Sequence, residues 1–231
     1  VSSSFFEIIV VNDGSTDDTE KKIDSFINTN SKFQIKLISQ KNRGLSAARN
    51  IGLKYSVGDY IWFIDSDDWI DSSSLIRLEK CLNDNNDAIA FEAIEVRDNS
   101  NVRLFNRKKH SNRTYTGCEM LKLELYQCPA TLTVYRREFL IKNRLFMMEG
   151  VYHEDVEFSP RAYFFAKRVL VLNSVLYYIR PNPSSITRSP NPKKGFDLIT
   201  VCTSLNSFMH SNVSSANSTP FHRIVSCALN L

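Results

Sequence analysis

The chain has 231 residues, 42 % of them hydrophobic and 23 % charged, with a formal net charge of +4. That is an ordinary globular composition, long enough for one large domain or two small ones around a substantial core. Basic residues are dispersed apart from short clusters such as Arg107-Lys108-Lys109. This argues against a nucleic-acid-binding stripe, and no apolar run approaches the roughly 18 residues of a membrane span. The five cysteines (81, 118, 128, 202 and 227) are odd in number and form no CxxC pair. They point away from a disulfide framework or zinc ribbon and towards a reducing compartment.

In chain order, the pattern alternates strand and helix, as in a parallel-sheet α/β protein. Residues 6–11 are a strand rich in β-branched side chains, and the turn Asn12-Asp13-Gly14-Ser15 leads to a helix with Ser15 as its cap, running to about residue 28. A short strand at 35–38 and a helix over 44–55 follow, the latter with small residues suited to close packing on a sheet. Residues 60–64 are apolar, long enough for a buried central strand and too short for a helix. A helix at 72–86 and a strand at 88–96 complete the first half. The polar, basic stretch 98–113 reads as a loop or exposed hairpin and a soft boundary. Next come a helix at 117–126, a strand near 131–135, a helix through 143 and a helix reaching about 166 after His153-Glu154-Asp155. Residues 169–172 and 175–179 read as two paired strands. Prolines 181, 183, 190 and 192 punctuate an irregular segment; a last helix spans about 195–210, and the Ser/Asn-rich 211–219 reads as a mobile tail.

The central strand ends in three carboxylates within four residues, Asp65, Asp67 and Asp68. Ligands of open α/β sheets sit beyond the carboxyl ends of the strands, where these acids fall. Two aspartates one residue apart can ligate a hard divalent cation that keeps substrate phosphate oxygens in its other positions. The bland reading is a polar turn that caps the next helix, which suits Asp68 best. Asp13 follows another strand and should lie near Asp65, and Glu154-Asp155 opens a later helix. Acids gathered on one edge are costly unless a cation or hydrogen-bonding ligand occupies the site.

Four stretches occur in order: Asn12-Asp13-Gly14-Ser15, Asn42-Arg43-Gly44 running to Arg49-Asn50-Ile51-Gly52, Asp65-Ser66-Asp67-Asp68, and His153-Glu154-Asp155. Together they closely resemble the family 2 glycosyltransferases, which have the GT-A fold and transfer sugars from nucleotide-sugar donors with inversion. The resemblance covers roughly residues 5–188 and implies an α/β fold with a mixed, mostly parallel sheet and flanking helices. It also implies a nucleotide-sugar half over 1–98, an acceptor and catalytic-base half over 99–190, and a helix and tail over 191–231. Carried over residue by residue, Asp13, Gly44, Arg49, Asp65 and Ser66 would bind the donor, a UDP-sugar. Asp67, with Asp65, would hold Mg²⁺ or Mn²⁺ on the diphosphate. Arg180 and Arg188 would cover that diphosphate. Asp155 would be the general base, with Glu154 as its competitor. Asp155 shares a helical stripe with Ser159, Ala162 and Ala166, whereas Glu154 lies nearer Arg161; Ser159-Pro160 could equally start that helix, leaving the acids in a turn. The plainer alternatives are a surface arginine for Arg49, a turn former for Asp13 and a structural histidine for His153. The acceptor implied is a glycan or lipid-linked hydroxyl of a surface polysaccharide, at the inner face of the cytoplasmic membrane.

One departure from the family stands out. The family's chain begins with a further strand and helix, which belong in the sheet between strands 6–11 and 60–64 and are absent here. Without them two strand edges lack ladder partners, so an N-terminally incomplete enzyme that folds poorly is expected. A non-catalytic nucleotide-sugar-binding module is the rival reading. A phosphotransferase is the other, disfavoured because no Thr follows the aspartate pair.

Overall fold

The computed structural model describes residues 5–82, 85–97, 100–106, 108–110, 112–126, 129–181, 190–214 and 217–229. Two sheets result. Strand β1 (Glu7–Asn12) pairs in parallel with β2 (Gln34–Ser39), and helix α1 (Thr19–Thr29) joins them. Helix α2 (Leu45–Tyr55) then leads to β3 (Tyr60–Trp62) and α3 (Ser72–Glu79). The second sheet has six strands: β3, β4 (Ala88–Glu95), β5 (Val102–Leu104), β6 (Arg113–Tyr115), β7 (Thr133–Arg136) and β8 (Val169–Ile179). Its order is β3-β7-β4-β8-β6, with β5 beside β4. The long ladders, β1 with β2 and β4 with β8, are parallel, and the antiparallel ones are short, so the mixed α/β sheet expected from the sequence forms.

Both faces of β4 are covered, which is why it reads as an apolar run broken only at Glu92, whose buried carboxylate pairs with Arg103. Ala88 and Ala90 face α4 (Gly117–Lys122), α5 (Arg137–Lys142), α6 (Glu154–Phe165), α7 (Pro192–Asn212) and α8 (Thr219–Leu229). Ile89, Phe91 and Ala93 face the opposite way, towards Leu78 of α3 and Tyr177 of β8. Fully burying one such large apolar side chain contributes about 1.5–3 kcal/mol. The helical side is closed by Phe164, Phe165, Phe208 and Phe221, whose ring centroids lie 5.3–5.9 Å apart.

Several expectations change. Helix α1 starts at Thr19 rather than at Ser15, because Asn12 Oδ1 accepts the Ser15 N–H and Asp17 the Thr19 N–H. Those local bonds hold a turn against the helix. The two strands read at 169–172 and 175–179 are one strand, β8. Asn173 does not break it, since Arg103 of β5 reaches its Oδ1 at 3.0 Å and the irregularity is absorbed near Glu92 of β4. Strand β3 is three residues long and lies at the edge of its sheet, not at the centre. The tail carries α8, which buries Phe221 and Ile224.

Among the described residues, β1 pairs only with β2 and β3 only with β7. Between the two facing edges runs a groove of about 280 Å³, floored by α2 and bounded by Ile9 and Val11 on one side and Tyr60–Ser66 on the other. One end is tied by Glu7 Oε1, which accepts the N–H groups of Val57 and Gly58 at 2.7 and 2.8 Å. Arg49 and Asp65 stand at the other.

Candidate active site

Arg49 is where the candidate site comes together. It lies on the inner stripe of α2 with Ala47 and Leu53, and is only 8 % exposed. One guanidinium nitrogen meets Asp65 at 2.7 Å, and the other meets Glu154 at 3.0 Å and Asp155 at 3.3 Å. A fork of fixed donors can serve carboxylates from three directions, which a lysine ammonium cannot do in this geometry. Burial works against its charge, but Asp65, Asp155 and Glu154 outweigh it and hold the proton more tightly than usual. The carboxyl end of β3 and the start of α6 are thereby joined. Arg49 itself is buried among carboxylates, not on the surface.

Asp155 is poised differently from an ordinary carboxylate. Although 24 % of its side chain is exposed, its surroundings are mostly protein, and burial pushes its pKa up to about 7. Arg49 and an amide hydrogen bond from Ala130 oppose that rise, while Glu154 and Asp65 reinforce it. Helix α6 begins at Glu154, so both acids sit in its first turn and Pro160 lies inside the helix rather than opening it. Glu154 does not pair with Arg161; that arginine pairs with Glu157, one turn away at 2.6 Å.

The acidic turn is pinned from behind. Asp65 N–H donates to the Tyr177 hydroxyl at 3.0 Å, and Asp68 accepts the Arg180 N–H at 2.9 Å. Trp69 pairs by backbone with Tyr178, their rings stack at 5.6 Å, and the Arg180 guanidinium lies 5.6 Å from the Trp69 ring. Ser66 and Asp67 are left exposed at the tip. Asp68 is not the cap of α3: Asp71 is, accepting the Ser74 N–H at 2.7 Å. The Asp71-Ser72-Ser73-Ser74 run carries that capping signal.

Asp13 has a separate post. Its carboxylate accepts the N–H groups of Arg43 and Gly44 at 2.9 and 2.7 Å and the Gln40 amide at 2.7 Å, fixing the loop that starts α2. It reaches Asp65 only indirectly, through α2 and Arg49. Gly44 caps α2 with φ 88°, and Gly14 sits at φ +80°, where a Cβ would lie 2.7 Å from Asn42 N and clash. Arg188 lies outside the described residues. Asn50, which shares a motif with Arg49, has a tie the sequence did not show: its side-chain amide both donates to the Met147 carbonyl and accepts its N–H, each at 2.9 Å.

Three carboxylates, Asp65, Glu154 and Asp155, share one arginine, a setting for a cation or a hydrogen-bonding ligand. Among the described residues, no three His, Cys, Asp or Glu side chains gather into a self-sufficient metal site. A hard cation shared with substrate phosphates needs only one or two carboxylates, and the Asp65–Asp67 turn fits that lesser requirement.

The pattern described as Glycosyl transferase family 2 matches residues 2–144. "Uncharacterized glycosyltransferase EpsJ" of Bacillus subtilis is 32 % identical over 195 residues, covering 81 % of this chain and 56 % of that protein. This chain thus spans about half the length of such relatives. Among solved structures, Staphylococcus aureus TarS 1–349 in complex with UDP-GlcNAc superposes with a TM-score of 0.76 at 21 % identity, over 99 % of this chain and 64 % of that one. The mannosyltransferase PcManGT of Pyrobaculum calidifontis, in complex with GDP-Man and Mn²⁺, gives 0.56 at 16 % identity, over 96 % and 71 %. The fold is therefore GT-A. The matched pattern and the relatives agree with the motifs that meet at Arg49: the chain belongs to glycosyl transferase family 2.

Proposed function

We propose that this chain transfers a sugar, with inversion, from a UDP-sugar to a hydroxyl of a glycan or lipid-linked acceptor in surface polysaccharide synthesis. The observation that carries the reading is the meeting of Asp65 with Glu154 and Asp155 on Arg49, beside the exposed Asp67 turn. The UDP-GlcNAc complex of TarS and the GDP-Man and Mn²⁺ complex of PcManGT support a nucleotide-sugar donor and a divalent cation. A lipid-linked acceptor would bring the chain to the inner face of the cytoplasmic membrane as a peripheral protein. Among the described residues, no helix is long and apolar enough to cross one.

Direct displacement at the anomeric carbon inverts it and needs no covalent protein nucleophile. An acceptor hydroxyl is a weak nucleophile until a base within hydrogen-bond reach takes its proton. Asp155 is that base, and a pKa of about 7 lets it both exist as carboxylate near neutrality and accept a proton. Arg49, which lines the groove, holds it at 3.3 Å. Asp13, Gly44 and Ser66 would serve the nucleotide side, and Arg180 would cover the diphosphate, the role the family resemblance also implies for Arg188. Asp65 and Asp67 would hold Mg²⁺ or Mn²⁺, which when bound offsets the charge of the departing diphosphate. Positioning supplies much of the remaining acceleration.

The test is UDP release from UDP-GlcNAc with Mn²⁺, alongside calorimetric binding of UDP. Asp155→Asn should lower turnover about 100-fold or more while leaving UDP affinity within about twofold. Binding without turnover would assign a nucleotide-sugar-binding module instead, and turnover unchanged in Asp155→Asn would remove Asp155 from the mechanism.

A further inference from the structure

The segment 147–153 delivers Glu154 and Asp155 to Arg49, and two helices grip it from opposite sides. On the α2 side, Asn50 binds Met147 as described, while Arg43 and Asn50 hold the Glu149 carboxylate at 2.8 and 3.2 Å. On the other side stand the first two turns of α7, far along the chain. Asp197 Oδ2 accepts the Tyr152 N–H at 2.8 Å and pairs with Lys193. Lys193 Nζ also donates to the Gly150 carbonyl at 2.8 Å, and Asn191 donates to the Tyr152 hydroxyl at 3.3 Å. The ammonium groups of Lys193 and Lys194 lie 5.3 and 5.9 Å from the Tyr152 ring.

The next residue explains why so many bonds converge on this segment. His153 sits at φ 64°, ψ 28°, in the left-handed region, and makes no side-chain cap to α6. A residue with a Cβ stays there only when neighbouring contacts over-determine it. That turn swings the start of α6 so that Glu154 and Asp155 face Arg49. Asp197, itself only 8 % exposed, binds the amide immediately before it. Capping α7 does not require Asp197, because Asn191 is the cap and accepts the Lys193 N–H at 2.9 Å.

We propose that Asp197 is a positioning residue for the Glu154–Asp155 pair, holding the Tyr152 amide so that the His153 turn keeps both carboxylates on Arg49. The link to catalysis rests on the transferase reading above; the link to the turn does not. Hydrogen exchange and turnover of UDP-GlcNAc with Mn²⁺ are measured on the full chain, Asp197→Ala and Asp197→Asn. Asp197→Ala should speed amide exchange at residues 152–156 by about tenfold or more, leaving α2 and β4 unchanged. Its kcat should fall about 10- to 100-fold with the KM for UDP-GlcNAc within about twofold, the signature of a displaced base. Asp197→Asn keeps an acceptor oxygen for the Tyr152 N–H and should restore most of kcat. Parental exchange at 152–156 or parental kcat in Asp197→Ala overturns the proposal, as does a loss spread over the whole exchange map. Should Asp197→Ala fail to fold, Asp197→Glu displaces the acceptor by one methylene, and parental exchange or parental kcat in that variant overturns the proposal equally. Absence of turnover in the unsubstituted chain overturns the transferase reading instead, and exchange alone then decides whether Asp197 holds the turn.

Discussion

A carboxylate used as a base must be ionised, and burial makes that unfavourable for Asp155. Its pKa of about 7 compares with an ordinary 3.8, because burial and then the neighbouring Glu154 and Asp65 outweigh the help from Arg49. The sign follows directly. A carboxyl group whose folded pKa is raised favours folding when protonated, so its contribution is full below the ordinary range and is lost as pH rises through about 7. Activity runs the other way: kcat/KM, which reports the free enzyme, should climb through an apparent pKa of about 7 and level off above it. Asp155→Asn cannot ionise there. Denaturant titrations at pH 5 and pH 8 should therefore show the parent losing stability relative to Asp155→Asn as pH rises. A kcat/KM profile already flat from pH 5 would contradict the raised pKa.

At the scale of elements, the helices behind the site are set by one close contact. Gly117 opens α4, and its N–H donates to the Ala166 carbonyl at the end of α6 at 2.8 Å. A Cβ on Gly117 would fall 1.5 Å from the Tyr163 carbonyl oxygen, which is backbone and cannot swing aside. The helices would have to part, disturbing Met120 and Leu121 against Tyr163 and Ala162 in the core. Gly117→Ala should destabilise the chain by about 3 kcal/mol or more, the upper range for an overpacked core. A thermal melt within a degree or two of the parent would refute this packing.

For the whole molecule, stability is unevenly shared. Helix α1 buries no residue, β2 none, and β1 only Asn12. The first six residues of β4 are buried, as are the first four of β8. The β1–α1–β2 unit is joined to the larger sheet through α2 and the Glu7 tie, with a groove where strands would otherwise pair. Units with few buried apolar contacts open below the global unfolding energy. Amides of β1 and β2 should exchange about 100-fold or more faster than those of β4 and β8. Uniform protection across both sheets would show that the groove is no point of weakness.

Much of this was legible in the sequence for local reasons. Alternating β-branched and helical periods set the elements, because side-chain period follows backbone geometry, and strand-end acids mark a ligand edge through the topology of open sheets. Asp65, Glu154 and Asp155 were readable as candidates because their motifs resemble the family's and because acids gathered on one edge call for a cation or a ligand. The tertiary structure alone decided which charges meet. Arg49 lies 16 residues before Asp65 and more than 100 before Glu154 and Asp155, and only the packing of α2 against β3 and α6 makes it their common partner. Strand β8 passing through Asn173, Asp197 reaching back to Tyr152, and the pKa of Asp155 are likewise products of long-range contact and burial, which no local propensity encodes.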